Sequence, residues 1–153
     1  MDANINSFLN WSQSQLAEAG VNSPRLDSEI ILAHTLNLSR TDLWTQDKRV
    51  LSESEKNIAK KNVERRLNRE PVSLIVGHQE FWSLDFVVDG NVLTPRPETE
   101  LVIETALNCI SSHTARILDL GTGSGALAVT MAKEVPECKA SAIDIDPNAL
   151  IIA

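Results

Sequence analysis

The chain has 153 residues, 42% of them hydrophobic and 23% charged, with a formal net charge of −7. That length holds one ordinary domain or two small ones around a packed core, and the acidic balance excludes a general electrostatic field for nucleic acid or anionic membrane, though not a local basic patch. Met1 to Asn6 has neither the basic nor the apolar part of a secretory signal, and no apolar run nears the roughly 18 residues of a membrane span, so a cytoplasmic protein is expected.

The two cysteines, Cys109 and Cys138, fall on different expected elements with no CxxC or Cys/His spacing, and His34, His78 and His113 are scattered. No disulfide framework or metal site is expected.

The first 70 residues read as helices. Ile5, Phe8, Leu9 and Leu16 share one face of a first helix that Gly20 stops. Ser23-Pro24 opens a second, since proline at the first helical position forfeits only an unbonded N–H; Leu26, Ile30, Leu32 and Ala33 form its apolar side. Ser39 caps a short segment through Leu43 and Trp44. Ser52 and Glu55 have the spacing of a capping box, and a long helix to about Arg69 follows. Its Ile58, Val63 and Leu67 are apolar, while Lys56, Lys60, Lys61, Arg65, Arg66 and Arg69 make it basic. That basic face is either simply solvated or docks an acidic partner.

At Pro71 the pattern turns to short β-type runs, Leu74 to Val76 and Glu80 to Val88, with Gly77 and Asp89-Gly90 as turn signals. The expectation is a β-hairpin linker over residues 71–93, between a helical domain at 1–70 and a further domain at 94–153. Pro97 opens another helix carrying Leu101, Val102, Thr105 and Leu107. From Ala115 the order becomes strand (Arg116 to Leu120), glycine turn, helix (Ala126 to Glu134), strand (Lys139 to Asp144), helix (from Pro147). This is the start of a doubly wound α/β sheet. It breaks off mid-helix at Ala153, and two strands with apolar sequence are expected to leave sheet surface uncovered.

The chemistry lies at Asp119-Leu120-Gly121-Thr122-Gly123-Ser124-Gly125, where an apolar strand ends in a turn with alternate glycines. Glycines there reach backbone angles closed to other residues and let the main chain approach a ligand and offer N–H groups. Asp144 ends the next strand, where a carboxylate can accept from both hydroxyls of a ribose. The pocket fits a nucleoside-containing cofactor. Gly121, Gly123 and Ala126 also fit the dinucleotide pattern GxGxxA, so the motif alone separates neither NAD nor S-adenosyl-L-methionine. Asp119 favours the latter, because a carboxylate two residues before the first glycine suits an ammonium group better than a pyrophosphate.

Glu80-Phe81-Trp82, Thr94-Pro95-Arg96-Pro97-Glu98-Thr99-Glu100, Leu118 to Gly125 and Asp144 with Asp146-Pro147-Asn148-Ala149-Leu150 occur in that order. With Ser23-Pro24-Arg25-Leu26-Asp27 upstream, this closely resembles the bacterial protein-(glutamine-N5) methyltransferases of the HemK/PrmC type, which modify peptide chain release factors. Thr94, where an aliphatic residue is commoner, and Asp146, where serine is frequent, are minor departures. The resemblance implies a small helical bundle, a β-hairpin linker and the first part of a Rossmann-like, S-adenosylmethionine-dependent domain. It implies that Gly121, Thr122, Gly123, Ser124 and Gly125 wrap the methionine end of the cofactor, that Asp144 holds the ribose and that Asp119 sits near the amino group. Arg96 would face the reaction site, or else pair with a neighbouring carboxylate to fix its turn.

The family's Asn-Pro-Pro-Tyr loop has no counterpart here, since the six prolines never adjoin. No catalytic residue is therefore assigned in this chain, which is expected to be inactive alone and to bind cofactor weakly. Two other readings stand beside this one: a partner-binding helical module without enzymatic activity, and a fragment of an NAD-dependent oxidoreductase.

Overall fold

A computed structural model describes residues 4–110 and 114–153; His113 and Met1 to Ala3 lie outside the described residues. The chain divides into two compact units, residues 1–76 and 77–153.

The first unit is helical: α1 (Ile5–Glu18), α2 (Pro24–Leu36), α3 (Arg40–Thr45), α4 (Glu53–Leu67) and α5 (Val72–Val76). Capping residues set the boundaries. Ser39 with Asp42 and Ser52 with Glu55 both form reciprocal capping boxes, and Asn37 closes α2 in the left-handed conformation. Ser23 precedes α2 but does not cap it by its side chain; its hydroxyl instead donates to Asp27 Oδ1 at 2.7 Å. The core gathers Ile5, Leu16, Ile31, Leu32, Leu43, Ala59 and Val63.

Two side chains and one segment depart from the sequence reading. Leu26 and Ile58 are exposed, and α2 begins its buried face with Asp27, Ser28 and Glu29. Leu74 to Val76, expected as strand, is the helix α5. The reason lies in the preceding helix: the Arg65 guanidinium, anchored on Glu70 at 2.5 and 2.8 Å, also donates to the carbonyls of Leu74 and Ile75 at 3.2 and 3.4 Å. Those carbonyls lie past the last helical acceptor, and a cation satisfies them.

The second unit opens with an antiparallel hairpin, β1 (His78–Phe81) and β2 (Leu84–Val87), in the register Phe81 opposite Leu84. Its turn is Trp82-Ser83, both with positive φ (53° and 56°), rather than Gly77 as the sequence suggests. A two-residue turn of this hand matches strand twist. Two hydrogen bonds hold it: Trp82 N–H donates to Glu100 Oε1 at 2.9 Å and the indole Nε1 to Glu134 Oε1 at 3.0 Å. A 3-10 turn (Pro97–Thr99) leads into α6 (Glu100–Cys109). Then come β3 (Arg116–Leu120), α7 (Ala126–Glu134), β4 (Lys139–Ile143) and α8 (Pro147–Ile152), with β3 and β4 parallel and Leu120 opposite Ile143.

Phe81, Phe86, Ile103, Ala126, Met131 and Val135 make the second core. β4 is exposed along its length, and Leu118, Leu120 and Ile143 are more than half exposed. The uncovered sheet surface is as the sequence predicts, because a parallel sheet is normally buried on both faces.

Candidate cofactor-binding site

Asp119 and Asp144 stand at the carboxyl ends of neighbouring parallel strands, where ligands of α/β sheets bind. Between them runs the glycine turn. Gly121, Gly123 and Gly125 have φ of 76°, 55° and 79°, a region costly for any residue with a Cβ. They are not equivalent. A Cβ on Gly121 or Gly123 would meet open space, whereas one on Gly125 would come within 3.3 Å of the Ala153 Cβ. Gly125 thus serves packing and the start of α7, and the first two glycines leave the mouth of the turn clear.

Four backbone amides of the turn, those of Gly121, Thr122, Gly123 and Gly125, are paired within the protein. Gly121 and Thr122 both donate to the Ile143 carbonyl (2.8 and 3.0 Å), and Gly125 donates to the Thr122 carbonyl (2.9 Å). Gly123 donates to Asp144 Oδ2 at 2.9 Å. Asp144 accepts through its other oxygen from the Asp146 N–H at 3.0 Å. The N–H groups of Asp146, Gly123 and Ile145 together hold the Asp144 carboxyl below the usual carboxylate range.

Asp119 is fixed by Thr122, whose hydroxyl donates to its Oδ2 at 2.8 Å. Thr122 and Ser124 are buried. Asp146 accepts from the Asn148 N–H at 2.8 Å and so caps α8, a role that serine would fill equally well.

Arg96 precedes the 3-10 turn and is exposed; its guanidinium makes no ion pair or hydrogen bond among the described residues, so the pairing that would fix its turn is not formed. The same run contributes Glu100 instead, the acceptor for Trp82 N–H, which sequence reasoning missed. The signal was the presence of Glu80-Phe81-Trp82 and the Pro95–Glu100 run in one chain, but contact between them is tertiary.

The residues present suit a nucleoside cofactor with a positively charged tail. Two carboxylates flank a turn with open space over Gly121 and Gly123, and each carboxylate oxygen keeps lone pairs beyond the bonds just given. A pyrophosphate needs the opposite arrangement, with N–H groups facing out and no carboxylate beside them.

A helical unit followed by the first strands of a doubly wound sheet, with this site at the strand ends, defines the opening of a Rossmann-like methyltransferase. Residues 98–153 match the methyltransferase small domain and residues 7–77 the PrmC N-terminal domain. The chain is 41% identical over 151 residues to the release factor glutamine methyltransferase of Nitratidesulfovibrio vulgaris, covering 99% of this chain and 51% of that protein. It is 45% identical over 139 residues to the protein of that name from Koribacter versatilis (90% of this chain, 50% of the relative) and 37% identical over 153 residues to that from Aliivibrio fischeri (100% and 54%). The chain belongs to the release factor glutamine methyltransferase family, as its N-terminal portion, and spans about half the length of the curated relatives it matches.

Proposed function

We propose that this chain supplies the S-adenosyl-L-methionine half-site of an enzyme that methylates the side-chain amide (N5) of a glutamine in peptide chain release factors. The names of the relatives support the reaction and the substrate. The observation that carries the cofactor reading is the glycine turn between two carboxylates, with these four amides paired within the protein. When bound, the cofactor supplies an electrophilic methyl group on a sulfonium.

The chain's own residues do the holding. Asp144, kept ionised by backbone N–H groups, accepts from the ribose hydroxyls. Asp119, oriented by Thr122, faces the ammonium of the methionine moiety. Gly121 and Gly123 admit the ligand by lacking a Cβ, Thr122 and Ser124 form the buried side of the turn, and Gly125 anchors it. Arg96, exposed and without a partner among the described residues, is the polar group that approaches the protein substrate.

An amide nitrogen is a poor nucleophile because its lone pair is delocalised, so transfer requires acceptors that position the NH2 group for in-line attack. The family places these on an Asn-Pro-Pro-Tyr loop, and no two prolines adjoin in this sequence. The chain alone binds cofactor weakly and does not transfer the methyl group.

Calorimetric titration tests the half-site. Heat with S-adenosylhomocysteine but not NAD, abolished by Asp144→Ala, is the expected result. Heat with NAD alone refutes the reading in favour of an oxidoreductase half-site.

A further inference from the structure

The helical unit carries a second polar constellation, away from the glycine turn in sequence and built with equal care. Glu29 is buried at the start of α2, its side chain only 4% exposed. It accepts from Arg25 Nε at 3.0 Å through one oxygen, and from Arg40 Nε and Nη2 at 3.1 and 2.6 Å through the other. One cation would neutralise this carboxylate, yet two are held on it.

Both guanidinium side chains remain more than half exposed, at 63% and 53%. Arg25 spends only Nε on Glu29 and Arg40 spends Nε and Nη2, so three nitrogens, both terminal ones of Arg25 and Nη1 of Arg40, have no acceptor among the described residues. The Arg25 guanidinium also lies over the Trp44 ring, 4.8 Å from its centroid. Trp44 is 54% exposed, and Leu26 beside it is the apolar residue that α2 fails to bury. Together these side chains line a groove of about 400 Å³.

Ordering two long side chains ordinarily costs rotamer entropy at the moment of binding; here Glu29 and Trp44 fix them beforehand. A surplus positive charge, fixed donors, an exposed indole and an exposed leucine are the composition of an interaction hot spot.

We propose that Arg25, Arg40, Trp44 and Leu26 form a docking surface for an acidic segment of a protein partner, in which a carboxylate side chain meets the outer guanidinium N–H groups and a neighbouring apolar side chain lies against Trp44 and Leu26. That this partner is the methylated protein rests on the function proposed above; the chemistry of the surface does not. Nucleic acid fits less well, because its backbone needs several phosphate contacts and the groove offers one surplus cation in a chain of net charge −7.

The basic face of α4 is a weaker candidate for the same role. Arg65 is committed to Glu70, and Arg66 donates to Asp27 Oδ2 at 2.7 Å and to the Glu70 carbonyl at 3.1 Å. Reversing those charges would unfold contacts rather than probe a surface.

The indole resonances of the three tryptophans, assigned by single Trp→Phe variants of the whole chain, provide the readout. A peptide of alternating Glu and Leu is titrated, with a Lys/Leu peptide and a single-stranded RNA as comparisons. The expected result is a saturable shift of the Trp44 signal with the Glu/Leu peptide only, weakened about tenfold by Arg25→Gln and lost with added salt. No shift at Trp44, an equal shift with the Lys/Leu peptide, or tighter binding of RNA overturns the proposal.

A bacterial release factor is then titrated against the chain. Trp44→Ala is expected to weaken binding about tenfold, and the charge reversal Lys61→Glu, at an exposed position on α4, less than twofold. Peptide binding without release factor binding leaves the surface standing and removes the substrate reading. Release factor binding that Trp44→Ala and Arg25→Gln leave intact does the reverse.

Discussion

Two glycines of the cofactor turn with nearly the same backbone angle should respond in opposite ways to the same substitution. Gly121 (φ 76°) and Gly125 (φ 79°) each lose about 1–2 kcal/mol as alanine, the cost of holding a Cβ in the left-handed region. Gly121→Ala adds nothing to that, since its Cβ meets open space. Gly125→Ala adds a 3.3 Å approach to the Ala153 Cβ, with the Ala153 Cα at 3.4 Å and its carbonyl oxygen at 3.5 Å. The neighbour must give by a few tenths of an ångström, at an extra cost of roughly a few tenths to 1 kcal/mol.

The melting temperature of the second unit, followed through Trp82, should therefore fall further for Gly125→Ala, at roughly 4–8 °C per kcal/mol. Affinity for S-adenosylhomocysteine should rank the other way. The Gly121 methyl group enters the space a ligand must approach, and a loss of about tenfold corresponds to roughly 1.4 kcal/mol; Gly125→Ala should lose less than about threefold at temperatures where it remains folded. Calorimetry well below the melts separates the two effects. Equal affinity losses, or a greater loss for Gly125→Ala, would refute the division of labour between the glycines.

Glu29→Gln removes the carboxylate that gathers two cations, and should destabilise the helical unit by about 1–2 kcal/mol, less than for a wholly buried pair because both arginines can turn to solvent. Burial works against ionisation of Glu29, but the bonds from Arg40 and Arg25 outweigh it and hold its carboxyl below the ordinary 4.5. A depressed folded-state value means stability that is present above the unfolded value and lost as pH falls through the folded one. Urea midpoints should therefore be level from neutral pH to about 5 and drop below it, with a shallower drop in the Glu29→Gln variant; an identical acid limb in both proteins would contradict the pairing. At the hairpin, Ser83→Gly relieves a positive φ of 56° on an exposed side chain and should stabilise the second unit by about 0.5–1 kcal/mol, against the usual penalty for glycine in a strand. A lowered melting temperature would show that Ser83 contributes something beyond its backbone.

Much of the fold was legible because its signals are local. Ser39 and Ser52 cap helices through residues three positions away, and such contacts depend on nothing else in the chain. The strand, glycine turn and helix over residues 116–134 likewise formed as read, since positive φ at Gly121, Gly123 and Gly125 is a property of those residues before it is a property of the fold. The placing of Asp119 and Asp144 at adjacent strand ends followed from the strand order alone.

Other features depended on partners distant in the chain. Leu74 to Val76 has strand-forming residues, but Arg65 reaches their carbonyls and the segment coils. Trp82 and Ser83 make the hairpin turn although glycine was at hand, because Glu100 and Glu134 bind the tryptophan from two other elements. Leu26 fits the apolar stripe of α2, yet Glu29 with its two arginines takes the buried position and leaves the leucine outside. The pairing of the Gly121, Thr122 and Gly123 amides was equally hidden, being set by the Ile143 carbonyl and the Asp144 carboxylate at the end of the neighbouring strand. The sequence alone determined which residues could cap, turn and carry charge, because those are properties of single residues and their near neighbours; only the tertiary structure decided which hydrogen-bonding groups remained unpaired and faced outward, because pairing is settled by whatever the fold brings within about 3 Å.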